Sequence, residues 1–533
     1  MNYYLIGIVI TFTAYVLIGA IISRSVKSAD DYYVAGRNAP TVLITGSLVA
    51  SFIGGGLFMG DVGESYSGFF APIIVAVGCL SVGYVIGSVF FGRYLKRSGV
   101  STIPQYFGKR FDSNALQLLA TITGVFIMLV YSLSCVQGMG TLMSSVTGLT
   151  YKACIIISCT AFILITLFSG AKGVLITDTI MFGVFSIAAI IGAVFIAHAA
   201  GGWIPVVQEM AHYEVVPDIL TWHGNLDYYY PTGAENMIWA VGYGIAWMAV
   251  LMVAPWQSSR YLMAKNEHTV IRSGVVASAA VFTIEFLMCM AGVFVNKLNP
   301  GMAEPSKALI WASMNIMPEI LGIIVLSGVL AAGISSATTF LSLIGSNIAN
   351  DILKIHNDGT KLIVGRLSVV LVGIIICVLC VINPPQIFWI TYLGATIVAC
   401  SWLPVAIASV WSKRVTKTGA FWSMLIGFLV SSIYKVYTVM NRLVVPIWLD
   451  PFFVGFTSGL IALIIGSSFT TPSETEIKER NILLTIPESE KDSEEVKKNQ
   501  GFCPVDDTDG HCSNGSYAHT LGNTCKQMKN IND

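Results

Sequence analysis

The chain has 533 residues, of which 55% are hydrophobic and only 11% charged, with a mean hydropathy of +0.73. A soluble domain carries about 25% charged residues, so lipid rather than water is the natural solvent for most of this chain. Thirty Lys and Arg balance thirty Asp and Glu, which leaves no bulk basic field for nucleic acid.

Apolar runs of the ~20 residues that cross a bilayer recur along the whole chain. Thirteen are predicted, at 3–23, 40–62, 69–92, 114–146, 151–169, 175–199, 234–258, 270–295, 318–349, 362–383, 386–411, 418–440 and 451–470. The first lacks a basic leader, and Arg24 and Lys27 follow it, so it reads as a span and not a cleaved signal. With the N-terminus placed outside, the alternate connections hold 18 Lys and Arg on one side and five on the other. Basic residues favour the cytoplasmic side, so the N-terminus is expected outside and the tail inside. Cysteines such as Cys79, Cys154, Cys159, Cys289, Cys377 and Cys380 lie within apolar runs and read as small hydrophobes, not as a disulfide framework.

The second span carries Ala50-Ser51-Phe52-Ile53-Gly54-Gly55-Gly56. Each glycine costs a helix about 1 kcal/mol, so a break is expected there, with freed carbonyls suited to a cation and freed amides suited to an anion or hydroxyl. Close packing of helices through small residues is the other reading. Asp61 and Glu64 follow within a few turns. The sixth span opens on Asp178, either an interfacial helix cap or a group at membrane depth. The seventh holds Gly242-Tyr243-Gly244 and then Ala254-Pro255-Trp256-Gln257, where the proline must kink or break the helix. Spans 2 and 7 are five apart, and interrupted helices at matching places in two halves point to an inverted-repeat transporter. Glu285 falls in the middle of the eighth span with no partner that the sequence identifies. In the ninth span, Ala332, Ser335, Ser336 and Thr339 share one helical face. Their hydroxyl and carbonyl oxygens are hard ligands of the kind an alkali cation takes, although membrane-helix hydroxyls also bond back to their own backbone. Residues 471–533, with 12 acidic and 7 basic residues, are expected to form a mostly disordered tail. Its Cys503, His511, Cys512, His519 and Cys525 lack zinc-ligand spacing. Removing residues 475–533 is expected to leave the membrane domain working.

Three further stretches add a family signal. Asp30-Asp31-Tyr32-Tyr33-Val34-Ala35-Gly36-Arg37, Thr102-Ile103-Pro104-Gln105-Tyr106 followed by Lys109-Arg110-Phe111, and the Ser-Ser stretch of the ninth span together resemble the sodium/solute symporter family over about 28–469. The resemblance implies an all-α membrane protein with a five-plus-five inverted-repeat core and two broken helices. The repeats would span 39–200 and 234–412. Residues 1–38 would add an extra helix and loop, 201–233 an outer loop, and 413–470 two accessory helices. It implies a non-enzymatic symporter in the plasma membrane that imports a small polar solute with sodium, and proton coupling is the alternative. A transporter-like sensor is a further alternative, for which the 63-residue tail is short and polar. Carried over by position, the main sodium site would comprise Ala50, Ile53, Ala332, Ser335 and Ser336. Members with a second sodium match at Asp178, Thr338 and Thr339, sharing Ser335.

The solute pocket implied by the resemblance lies beside the breaks. Tyr131, Trp247 and Pro255 are similar to the proline-carrying branch, which however has an aspartate at the position of Phe52 and a tryptophan at that of Gly56. Phe52 through Gly56, with Pro255-Trp256-Gln257, look more like the choline branch. Phe52, Tyr131, Trp247 and Trp256 would then form an aromatic box, with Gly54, Gly55 and Gly56 beside it and Asp61 as counter-charge. Aromatic faces hold a quaternary ammonium at about 0.5–2 kcal/mol per ring. Ordinary aromatic packing is the competing reading.

Overall fold

The computed structural model describes residues 3–23, 34–54, 56–226, 230–355, 357–382, 387–441 and 445–486. Among them the chain is helical, with no strand, and ten helices are long and apolar enough to cross a membrane. Three shorter apolar segments, Tyr3–Tyr15, Thr41–Phe52 and Tyr151–Leu167, accompany them.

Helix α1 (Tyr3–Ser23) precedes α2 (Thr41–Phe52). Helix α2 stops because Ile53 takes an extended conformation (φ −69°, ψ 113°) ahead of the glycines. The chain resumes as a wide turn over Gly56–Asp61 and continues to α3 (Phe70–Gly87). Helix α4 (Asn114–Thr147) begins where the Ser113 hydroxyl accepts the Leu116 amide and ends on left-handed Gly148 (φ 73°).

A helical run of 49 residues follows, α5 (Tyr151–Ala199). Straight, it would measure ~74 Å, more than twice the hydrocarbon thickness. Its two arms meet different partners, however. Tyr151 and Ile155 lie against Gly140 of α4, whereas Thr179 lies against Gly46 of α2. Lys172–Ala199 alone is a full apolar span.

The second broken helix has a different cause. Helix α6 (Gly233–Val253) ends at Ala254 (φ −58°, ψ 144°), because a residue before proline is pushed out of the helical region. Pro255 then opens α7 (Pro255–Met263), where its missing N–H costs nothing. Helices α8 (Glu267–Leu298), α9 (Glu319–Asn347), α10 (Asp358–Ile382), α11 (Ile387–Ser401), α12 (Leu403–Trp411), α13 (Lys417–Met440) and α14 (Pro451–Ser468) complete the bundle. The start of the first broken segment and the end of the second are tied backbone to backbone: Ala39 N–H donates to Met263 O and Lys265 N–H to Ala39 O, both at 3.0 Å.

The tail departs from expectation. Disorder from residue 471 is overturned for α15 (Glu474–Leu484), a helix with a complete capping box of Ser473 and Glu476. It is held to the bundle. Arg97 donates to the Leu483 and Leu484 carbonyls at 2.9 and 2.8 Å while pairing with Glu267, and Arg110 donates to the Glu476 carbonyl at 3.0 Å. Glu476 accepts the Lys417 amide at 2.6 Å. The cysteines and histidines of the distal tail lie outside the described residues.

Candidate functional site

Both breaks open onto the middle of the bundle, and α9 crosses there. The Ser336 hydroxyl donates to the Ala50 carbonyl, 3.3 Å away, near the end of α2. Gly54 permits this approach. A Cβ there would sit 3.1 Å from Ser336 Oγ and 3.9 Å from the Ala332 carbonyl oxygen. Ala50, Gly54, Ala332 and Ser336 are thus drawn together at the break, and Ile53 forms the turn itself. Every donor atom in this set is a hydroxyl or carbonyl oxygen, which suits a small hard cation. No cluster of three His, Cys, Asp or Glu side chains placed to hold a metal occurs among the described residues.

The Ser335 hydroxyl points the other way. It donates to Asp178 Oδ1 at 2.6 Å. Asp178 is fully buried inside α5 and so is not an interfacial cap. Its Oδ2 accepts from Ser47 at 2.6 Å, from Arg260 Nη2 at 3.0 Å and from Thr339 at 3.4 Å. Arg260, also buried, donates in addition to Ser47 at 2.9 Å and Thr339 at 2.7 Å. Thr338 takes no part through its hydroxyl, which bonds back to the Ile334 and Ser335 carbonyls. A guanidinium therefore stands among Asp178, Ser335 and Thr339. Sequence reasoning counted Arg260 as a connection charge and missed this role. The residue lies on the short half-helix after Pro255, where only the break turns it inward.

On the other side of Gly54 lies a narrow cavity between the two breaks. Phe52, Tyr131, Trp247 and Trp256 all line it, and their rings meet in a chain from Phe52 through Trp247 and Tyr131 to Trp256. Ring centroids lie 5.4 Å apart for Phe52 and Trp247, 5.8 Å for Tyr131 and Trp247, and 4.7 Å for Tyr131 and Trp256. Gly54, Asp61 and Ser336 line it as well. Gly55 lies outside the described residues, and Gly56 begins the turn that leads to Asp61. Asp61 Oδ1 accepts the Tyr243 hydroxyl at 3.2 Å.

Tyr243, Glu285 and Phe340 are also part of the lining, and sequence reasoning gave none of them a place in the pocket. Two had a readable signal: Tyr243 precedes Trp247 by one helical turn, and Phe340 follows Ser336 by one. Glu285 had none, because nothing local to it names a partner.

A sequence model described as the sodium:solute symporter family matches residues 32–427. The chain belongs to that family. Among known relatives, a sodium/proline symporter of Salmonella typhimurium is 23% identical over 88% of this chain and 95% of its own length. The sodium/glucose cotransporter 1 of Oryctolagus cuniculus is 26% identical over 79% of this chain and 70% of its own. Among solved structures, a Na+-coupled sialic acid symporter in a substrate-bound outward-open state superimposes with a TM-score of 0.73. That alignment is 18% identical and covers 89% of this chain and 99% of the other. The fold of this family member is therefore that of sodium-coupled membrane transporters, and its relatives are transporters rather than enzymes.

Proposed function

We propose that this family member is a sodium-coupled symporter that imports a small organic solute by alternating access. The observation that carries the reading is the contact of Ser336 Oγ with the Ala50 carbonyl at the break of α2. It brings α9 and the broken helix together through oxygens alone. Sodium held by Ala50, Ile53, Ala332 and Ser336, with Ser335 turning inward from Asp178, would pin the two helices and favour the outward-facing state. The solute would bind in the adjoining aromatic cavity. Closure above it and loss of sodium to the cytoplasm would release both. The orientation that fits is an external N-terminus and a cytoplasmic α15, which places Arg97, Arg110 and the basic connections inside.

The test is uptake into vesicles. The pair Ser335→Ala and Ser336→Ala should abolish sodium-stimulated uptake while the protein still assembles in the membrane. Sodium dependence that survives both changes would sink the site. Collapsing the sodium gradient at constant pH separates sodium from proton coupling, because proton-coupled uptake would continue.

A further inference from the structure

Below the break, α9 stays polar along one face. Ser335, Thr339, Ser342, Ser346 and Asn350 recur every three or four residues, and all are buried. The helix then passes into a wide turn over Ile348–Ile352, where the Leu353 N–H donates to the Ile348 carbonyl, five residues back, at 3.0 Å. Turns of this width are rare and gather at functional sites. This one sets Asn347 and Asp351 on the same face, one above the other. Asp351 is 2% exposed. Its Oδ1 accepts from Thr102 Oγ1 at 2.9 Å and from Gln117 Nε2 at 3.1 Å, whereas its Oδ2 has no hydrogen-bond partner among the described residues. The same holds for Asn350 Oδ1, whose amide nitrogen donates to the Ser346 carbonyl and hydroxyl at 2.8 and 3.1 Å, and for Asn347 Nδ2. All three side chains are more than nine-tenths buried. Buried polar atoms are paired as a rule, and an open one is costly. Three of them between Asn347 and Asp351 call for a ligand.

We propose that Asp351 and Asn350 form a cation site at the inner end of α9, on which sodium halts between the break and the cytoplasm. The inference rests on the sodium reading of the break and adds the ion's way out. Asp351 Oδ2 supplies the charge and Asn350 Oδ1 a neutral oxygen, both hard donors. Asn347 Nδ2 cannot hold a cation, but it can donate to a water of the ion's shell. The surroundings explain the need for an acid. The connections here are basic, with Lys109, Arg110, Lys354 and Lys361, and Lys361 lies near enough to act on Asp351. A cation leaving through a positive rim meets a barrier that a buried carboxylate lowers. Nearer the break, Arg260 stands at Thr339, but Asp178 already matches its charge. The ion reaches Asp351 from the break, so the cycle still carries one sodium.

The experiment titrates radiolabelled sodium onto the purified full chain in nanodiscs, with potassium holding the ionic strength constant. Two components should appear, a tight one at the break and a weaker one at Asp351. Asp351→Asn keeps an oxygen for Thr102 and Gln117. It should weaken the second component by about tenfold or more, the loss of a charge-assisted contact, and leave the first unchanged. Asp351→Glu should recover part of the affinity. Thr102→Val with Gln117→Leu removes the tie and spares the carboxylate, so both components should persist.

A single component in the unaltered chain would overturn the proposal, as would a second component indifferent to Asp351→Asn. A loss reproduced in full by Thr102→Val with Gln117→Leu would also overturn it, because Asp351 would then be a tie between elements and not a ligand. Ser335→Ala with Ser336→Ala separates the two sites. The weaker component should survive that pair, and its disappearance would overturn the inner site. A tight component that survives the pair would overturn the site at the break and not this one.

Discussion

At the scale of single residues, the helical face of α9 was legible from its spacing, its neighbours Ala50 and Asp178 only through the family resemblance, and Arg260 through neither. The shared face of Ala332, Ser335, Ser336 and Thr339 follows from the helical period alone, and in the structure the three hydroxyls and the Ala332 carbonyl face the broken helix or Asp178. Thr338, carried over by resemblance, faces its own backbone. Arg260 changes the meaning of Asp178 most. Its guanidinium already provides the charge that a second sodium would bring. Uptake should therefore rise hyperbolically with sodium, with a Hill coefficient of about one. A coefficient approaching two would show that Asp178 takes a second ion in spite of Arg260. The pair is buried on both sides, so removing one partner leaves a naked charge, at a cost of about 3–5 kcal/mol. Arg260→Ala should unfold at a markedly lower temperature, and Asp178→Asn combined with Arg260→Gln should lose much less than the two single changes together. Additive losses in a thermal melt would mean that the two residues do not act as a pair.

At the scale of elements, breaks were easier to read than attachments. Three glycines and Ala254-Pro255 interrupt their helices for reasons local to the chain. The docking of α15 depends instead on Arg97 and Arg110, hundreds of residues away, and on Lys417, 59 residues before Glu476. Its capping box can be seen in the sequence, but its polarity makes it look like solvated tail. The expected harmlessness of deleting 475–533 must accordingly be narrowed. A chain ending at 486 should match the full protein in stability and uptake. A chain ending at 473 exposes the cationic groups that α15 covers and frees Arg97, Arg110 and the inner end of α12 from their tie. It should express less, melt several degrees lower and show faster hydrogen exchange at 95–110. Identical melts for the two truncations would show that the helix is a passenger. Arg97→Ala in the full chain tests the same contact without deletion, because α15 should then become sensitive to protease.

At the scale of the whole molecule, the matching breaks five spans apart made the inverted repeat visible, because each half carries its own interruption. Asp61 was placed in the pocket by resemblance, but the second carboxylate was not legible, because Glu285 on α8 reaches the same cavity only when the halves assemble. That assembled charge bears on energetics. Each positive charge moved inward gains about 2.3 kcal/mol per 100 mV of inside-negative potential. One sodium with a zwitterion or sugar moves one charge per cycle, whereas one sodium with an ammonium ion moves two. In proteoliposomes with an imposed potassium diffusion potential, one sodium with a solute of no net charge should give a ratio of charge movement to solute uptake of about one, and accumulation should steepen with voltage accordingly. A ratio near two would show a second positive charge moving inward with the solute. Uptake insensitive to voltage would mean that the carboxylates travel charged with the solute and return neutralised by protons, which a simultaneous measurement of internal pH would detect.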